Sequence, residues 1–165
     1  MQIKNYDRKS VVEYAKKWAY LRNPKYYNFD NVGGDCTSFA SQCIYEGSKV
    51  MNYNKQKGWY YINGNNKSPS WTGVEFLYNF LINNDDIGPW GKIVDTNDIE
   101  LGDIAQISFD GIKFAHTLVI IGIEGTANLD NIFIAAHTFD TLNKPILGYN
   151  FRRIRFIHIN GVRYK

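Results

Sequence analysis

The chain has 165 residues, 19 Lys and Arg against 16 Asp and Glu, a formal net charge of +3 and 44% hydrophobic residues, which suits one domain spanning residues 1–165 with its own buried core. No basic run is dense enough for a nucleic-acid groove: Arg152, Arg153 and Arg155 come nearest, and their alternation reads as strand residues facing solvent. No stretch is long and apolar enough to span a membrane, and Met1 to Asn5 lacks the apolar segment of a signal peptide, so the protein either leaves the cell by another route or has been cut from a longer chain.

The first helix is expected to start at Asp7. Tyr6 and Val11 take the positions of a hydrophobic staple across that cap, Val11, Ala15 and Trp18 repeat on one face, and Asn23-Pro24 closes the segment. Tyr26, Tyr27 and Phe29 follow in a short aromatic loop, candidates for one wall of a cleft or a cover for the helix end.

That loop runs into Gly33-Gly34-Asp35-Cys36-Thr37-Ser38-Phe39-Ala40-Ser41-Gln42-Cys43, around which the chain is organised. The glycine pair suits a tight turn, Asp35 stands where an N-cap side chain belongs, and Phe39, Ala40, Cys43 and Ile44 recur on one helical face, with Gly47 as the expected C-cap. Cys36 therefore sits in the first helical turn. There the macrodipole and unpaired N–H groups favour a thiolate and could hold the oxyanion of an attacked carbonyl. Cys43 lies mid-helix on the apolar face and reads as packing. A disulfide between the two is excluded by reach, since seven helical residues rise about 10.5 Å.

Tyr6-Asp7-Arg8, Tyr14-Ala15, Trp18-Ala19, Arg22-Asn23-Pro24 and the Gly-Gly-Asp-Cys-Thr-Ser-Phe-Ala-Ser-Gln block together resemble the bacterial putative amidase domain family, grouped with papain-like and NlpC-type cysteine peptidases. The resemblance runs from about Tyr6 to beyond His137. It implies a Cys-His amide hydrolase of that fold, acting on peptidoglycan amides at the cell wall or after secretion.

Lys49 to Ser68 is rich in Asn, Lys, Gly and Tyr, and reads as a long binding loop with Trp59-Tyr60-Tyr61 at its middle. A third helix is expected from Ser70, with Trp71 in its first turn and Val74, Leu77, Tyr78 and Leu81 on one face. With 12 Tyr, 10 Phe and 4 Trp, the chain has more aromatic surface than packing obliges, and Tyr27, Trp59 and Trp71 are candidate substrate contacts.

Beyond Trp90 the pattern turns to strands. Asp110-Gly111 between two apolar runs predicts a two-residue hairpin that sets Phe109 opposite Ile112 and Ala105 opposite His116. Leu118 to Ile121 is apolar on both faces, as in a central strand; Asn131 to Thr138 and Phe151 to Asn160 are further strands. Helices first and an antiparallel sheet afterwards make an α+β fold with the Cys36 helix packed on the sheet.

Cysteine-dependent amide hydrolysis needs a thiol, a base and a group to orient that base. Of three histidines, His116 is the candidate base. His137 is the favoured orienting group, with Asp140 and Asn143 as rivals, and His158 reads as structural. In this cycle Cys36 attacks the carbonyl, His116 protonates the departing amine, and the same imidazole activates the water that opens the thioester. No metal is expected, because the histidines are isolated and lack zinc-ligand spacing, and no cofactor motif is present. The expected partner is peptidoglycan or a peptide, handled by a monomer. Two alternatives remain open: a non-catalytic wall-binding module, and a peptidase for a protein substrate in a toxin or processing role.

Overall fold

Asp7 does cap the first helix, accepting the Ser10 N–H at 3.1 Å. The computed structural model describes residues 1–165. Its chain runs β1 (Gln2–Lys4), α1 (Arg8–Trp18), α2 (Cys36–Ser48), β2 (Tyr61–Asn63), β3 (Asn66–Lys67), α3 (Pro69–Thr72), α4 (Val74–Asn83), β4 (Gly88–Val94), β5 (Ile104–Ser108), β6 (His116–Ile123), β7 (Ile132–Ala136), β8 (Thr141–Pro145) and β9 (Arg153–Tyr164). The architecture is α+β. Seven strands form one antiparallel sheet in the order β1-β9-β5-β6-β7-β8, with β4 also on β9, while β2 and β3 pair separately.

The period-2 alternation of β6 divides the interior in two. Val119 and Ile121 join residues of all four helices in the larger core, and Leu118 and Ile120 join a smaller core on the opposite face with Ile107, Ile132, Ile134 and Ile146. A strand apolar on both faces is thus covered on both, as Leu118 to Ile121 predicts.

Helix α2 is buried along nearly its whole length, so its polar side chains need internal partners. Gln42 accepts from the Tyr14 hydroxyl at 2.6 Å and donates to Ser38, while Ser41 accepts from Trp59 Nε1 at 3.0 Å and donates to the Trp71 carbonyl at 2.9 Å. Gly47 is not the C-cap. The helix runs to Ser48 and closes on Lys49 in the left-handed region, φ 52°, its N–H on the Tyr45 carbonyl. Gly47 serves close approach instead: a Cβ there would lie 2.5 Å from the Tyr6 ring and from Val11.

Four further expectations change. The helix expected from Ser70 breaks at Gly73, leaving one turn, α3, before α4. Residues 49–68 are not an open loop: they hold the β2–β3 hairpin and a bridge between Asn52 and Trp59. Asp110-Gly111 does not make a two-residue turn. Asp110 Oδ1 collects the N–H groups of Ile112 and Lys113, and Gly111, at φ +81°, donates to Ser108 Oγ, so seven residues connect β5 to β6 and Ile107, not Ala105, faces His116. Arg155 does not face open solvent; its guanidinium lies 3.6 Å from the Tyr78 ring centroid and bonds Gln106 and Glu75.

Candidate functional site

Gly33 and Gly34 deliver the chain to α2 at φ +83° and +94°, a left-handed turn that side chains rarely tolerate. Asp35 follows, but its carboxylate does not cap the helix. It reaches sideways, Oδ1 accepting the Phe29 N–H at 2.9 Å and Oδ2 meeting His137 Nδ1 at 2.5 Å, both side chains about 1% exposed. The Asp35 N–H in turn donates to Thr138 Oγ1 at 3.3 Å. The turn before Cys36 is therefore fastened to the end of β7.

Cys36 occupies the first position of α2, largely buried and unpaired to any other cysteine, as is Cys43. Its sulfur lies 3.7 Å from the Thr37 hydroxyl, and the backbone amide of Thr117, the β6 residue immediately after His116, is among the groups that favour its thiolate. A 2.9 Å bond between the Thr37 and Thr117 hydroxyls holds helix tip and strand start together. Burial pushes the Cys36 thiol above its ordinary acidity range despite these donors, and the neighbouring Asp35 adds to the shift.

His116 sits at the first residue of β6, in register with Leu118 and Ile120 on the face turned away from the helices. Its ring is 5.8 Å from that of Tyr149 and makes no hydrogen bond within the protein; burial, helped by the Lys144 ammonium, lowers its pKa to about 4. Burial pushes the Tyr149 phenol above its ordinary range, and Cys36 adds to the shift. The Tyr149 hydroxyl is buried and lacks a hydrogen-bond partner, and the nearby Thr141 hydroxyl donates to the Phe139 carbonyl at 2.8 Å. A cavity of about 330 Å³ opens beside His116, lined also by Phe109, Phe139, Thr141, Lys144 and Tyr149. A cleft of the same volume between α4 and residues 52–58 lies apart from this chemistry, and its Asn52 and Asn84 amides are spent on the Ile87 carbonyl.

The other expected residues are placed differently. His137 does not orient His116: Nδ1 goes to Asp35, Nε2 meets the Trp18 carbonyl at 2.8 Å, and the ring stacks on Phe39 at 3.9 Å. Both ring nitrogens are thus engaged by oxygen atoms away from His116, and neither is left to orient it. Asp140 is clamped by both terminal nitrogens of Arg22, at 2.8 and 3.0 Å, and Asn143 is exposed at φ 58° on β8. His158 joins Asp103 at 2.8 Å in a network with Arg8, a structural role. Trp59 and Trp71 are not available to substrate, being fully buried with their rings tilted against each other 4.9 Å apart, whereas Tyr27 is about half exposed. Lys144 and Tyr149 were missed, and a lysine followed five residues later by a tyrosine carries no signal of its own.

A family model described as a putative amidase domain matches residues 5–159. Among curated proteins, the uncharacterized protein YhbB of Bacillus subtilis (strain 168) is 31% identical over 140 residues, covering 82% of this chain. The chain spans 42% of the length of that relative. No solved structure matches the chain significantly.

Proposed function

The chain belongs to the putative amidase domain family, whose description is that of a hydrolase acting on amides, and from that premise we propose that it is a cysteine-dependent amide hydrolase with Cys36 as nucleophile and His116 as base. The observation that carries the reading is the seat of Cys36 at the first turn of α2, a tip that the 2.9 Å bond between the Thr37 and Thr117 hydroxyls fastens to the strand residue next to His116.

The directions of the two shifts define the resting state. A thiol pushed up and an imidazole held near 4 favour the neutral pair at pH 7, so the proton leaves sulfur as the carbonyl is attacked and not before. The cost of the buried thiolate is offset in the transition state, where charge passes to an oxyanion facing the first-turn N–H groups of α2. His116 then gives the proton to the leaving amine, a thioester remains on Cys36, and water deprotonated by His116 releases the acid. Asp35 and His137 are positioning residues for the turn that presents the sulfur. The helix-on-sheet arrangement with a cysteine at the helix start agrees with a papain-like or NlpC-type ancestry, and peptidoglycan amides are the substrate class that this ancestry favours.

Incubating purified sacculi with the protein and with C36A, then identifying released fragments by mass, tests the reading and names the bond. Fragments made by the wild type and not by C36A are expected. Release by both proteins would remove Cys36 from the mechanism, and release by neither, with cleavage of a peptide panel by the wild type alone, would move the target to proteins.

A further inference from the structure

Three arginines that enter the packed structure are held by carboxylates, while Arg163, Lys67 and Lys4 rest on aromatic rings or backbone carbonyls. Arg22 holds Asp30 and Asp140, Arg8 holds Asp103, and Arg155 holds Glu75. Lys144 is set apart by its place in the cavity beside His116. It is half-buried on β8, lines the His116 cavity, forms no ion pair, and rests with Nζ 3.8 Å from the Tyr149 ring centroid. A cation over an aromatic face is held there without being neutralised. No carboxylate lines the cavity, and its walls are the rings of Phe109, Phe139 and Tyr149, with Thr141 and Thr138 the hydroxyl-bearing side chains besides Tyr149. Phe139 is 94% exposed at a left-handed φ of 57°, a ring held in water at the cavity mouth.

A lone ammonium in an aromatic, acid-free cavity attracts an anion, and apolar walls strengthen the attraction by excluding water. One monocation without an arginine fork suits a singly charged group better than a phosphate, which recruits several donors. We propose that this cavity is a carboxylate-selecting subsite, in which Lys144, seated on Tyr149, fixes a free carboxylate borne by the amide substrate beside the scissile bond. The proposal rests on the hydrolase reading and names its substrate class. The carboxylate can be a terminal α-carboxylate or the side chain of an acidic residue flanking the amide.

The test uses the full chain as C36A for binding and as wild type for turnover, with two matched ligand pairs: a short peptide ending in a free acid or a carboxamide, and one carrying Glu or Gln beside the amide. Calorimetry on C36A should show the acid of at least one pair bound about tenfold more tightly, the scale of one charge-assisted hydrogen bond, and the pair that discriminates identifies the source. K144Q in the same background should erase that preference while leaving the neutral ligand unchanged; Y149F should retain it and Y149L weaken it. In the wild type the preference should appear in KM more than in kcat. By NMR, K144Q should move the His116 titration upward from about 4, because the opposing ammonium is gone. Equal binding of acid and neutral ligands, or a preference that survives K144Q, overturns the subsite. Turnover without acid preference would sink this inference alone. Acid-selective binding without turnover of any amide would sink the hydrolase reading alone.

Discussion

Two histidine neighbourhoods on adjacent strands differ in how far their polar groups are satisfied. Around His137 every capacity is used: two hydrogen bonds, a stacked Phe39, and an Asp35 carboxylate that also holds the Phe29 N–H. Around His116 little is used, since the imidazole, the Lys144 ammonium and the Tyr149 hydroxyl all lack protein partners. A buried polar group left unpaired costs about 1–3 kcal/mol of folding free energy, and the Tyr149 hydroxyl is one, beside an imidazole and an ammonium that open onto the cavity; a fold carries such a cost where a substrate or a reacting atom supplies the missing contact. The saturated corner fixes geometry, and the unsaturated corner is where chemistry fits.

That contrast can be broken by mutation. C36A and H116A should each lower turnover of an amide substrate by about 10⁴-fold or more, with little change in thermal midpoint, as is usual for nucleophile and base. A comparable loss of stability in H116A would mean that both corners are structural. D35A should do the reverse, costing about 3–5 kcal/mol in urea unfolding, because it leaves His137 and the Phe29 N–H facing an empty site. Partial activity lost by D35A should be regained by any condition that restores the fold.

Titration sharpens the comparison. Unfolded His116 takes a proton below about 6.5, the folded residue only below about 4, so stability should fall as pH drops through that interval, by about 3 kcal/mol in total, and be independent of this group above it. H116Q should flatten that part of the stability profile. The acid limb of kcat/KM should have its midpoint near 4 and not near the ordinary imidazole value, which a pH–rate series in the wild type reads directly. The smallest effect is expected at Asn143: N143G should leave activity within about twofold, and N143A should cost about 1 kcal/mol, because only the left-handed backbone is at stake.

Local chemistry in the sequence reached a good deal of this. Asp7 as a cap, the left-handed Gly33-Gly34 turn, Cys36 at a helix start and the doubly covered run from Leu118 to Ile121 follow from short-range rules of capping, φ and periodicity, and each appears in the structure. Trp59 and Trp71 show where such rules stop, for a tryptophan that packs and one that binds sugar are the same residue until their neighbours are known. The β5–β6 connection went astray because Asp-Gly can close a tight hairpin or collect N–H groups in a wider loop, and pairing across the sheet selects between them.

The sequence by itself determined the nucleophile candidate, the helix that bears it and the α+β order of elements, since all three rest on interactions within a few residues. Tertiary structure alone decided that His137 is spent on Asp35, some hundred residues earlier, and that Lys144 and Tyr149 converge beside His116. Those pairings join groups distant along the chain, and only the packed sheet fixes which of them meet.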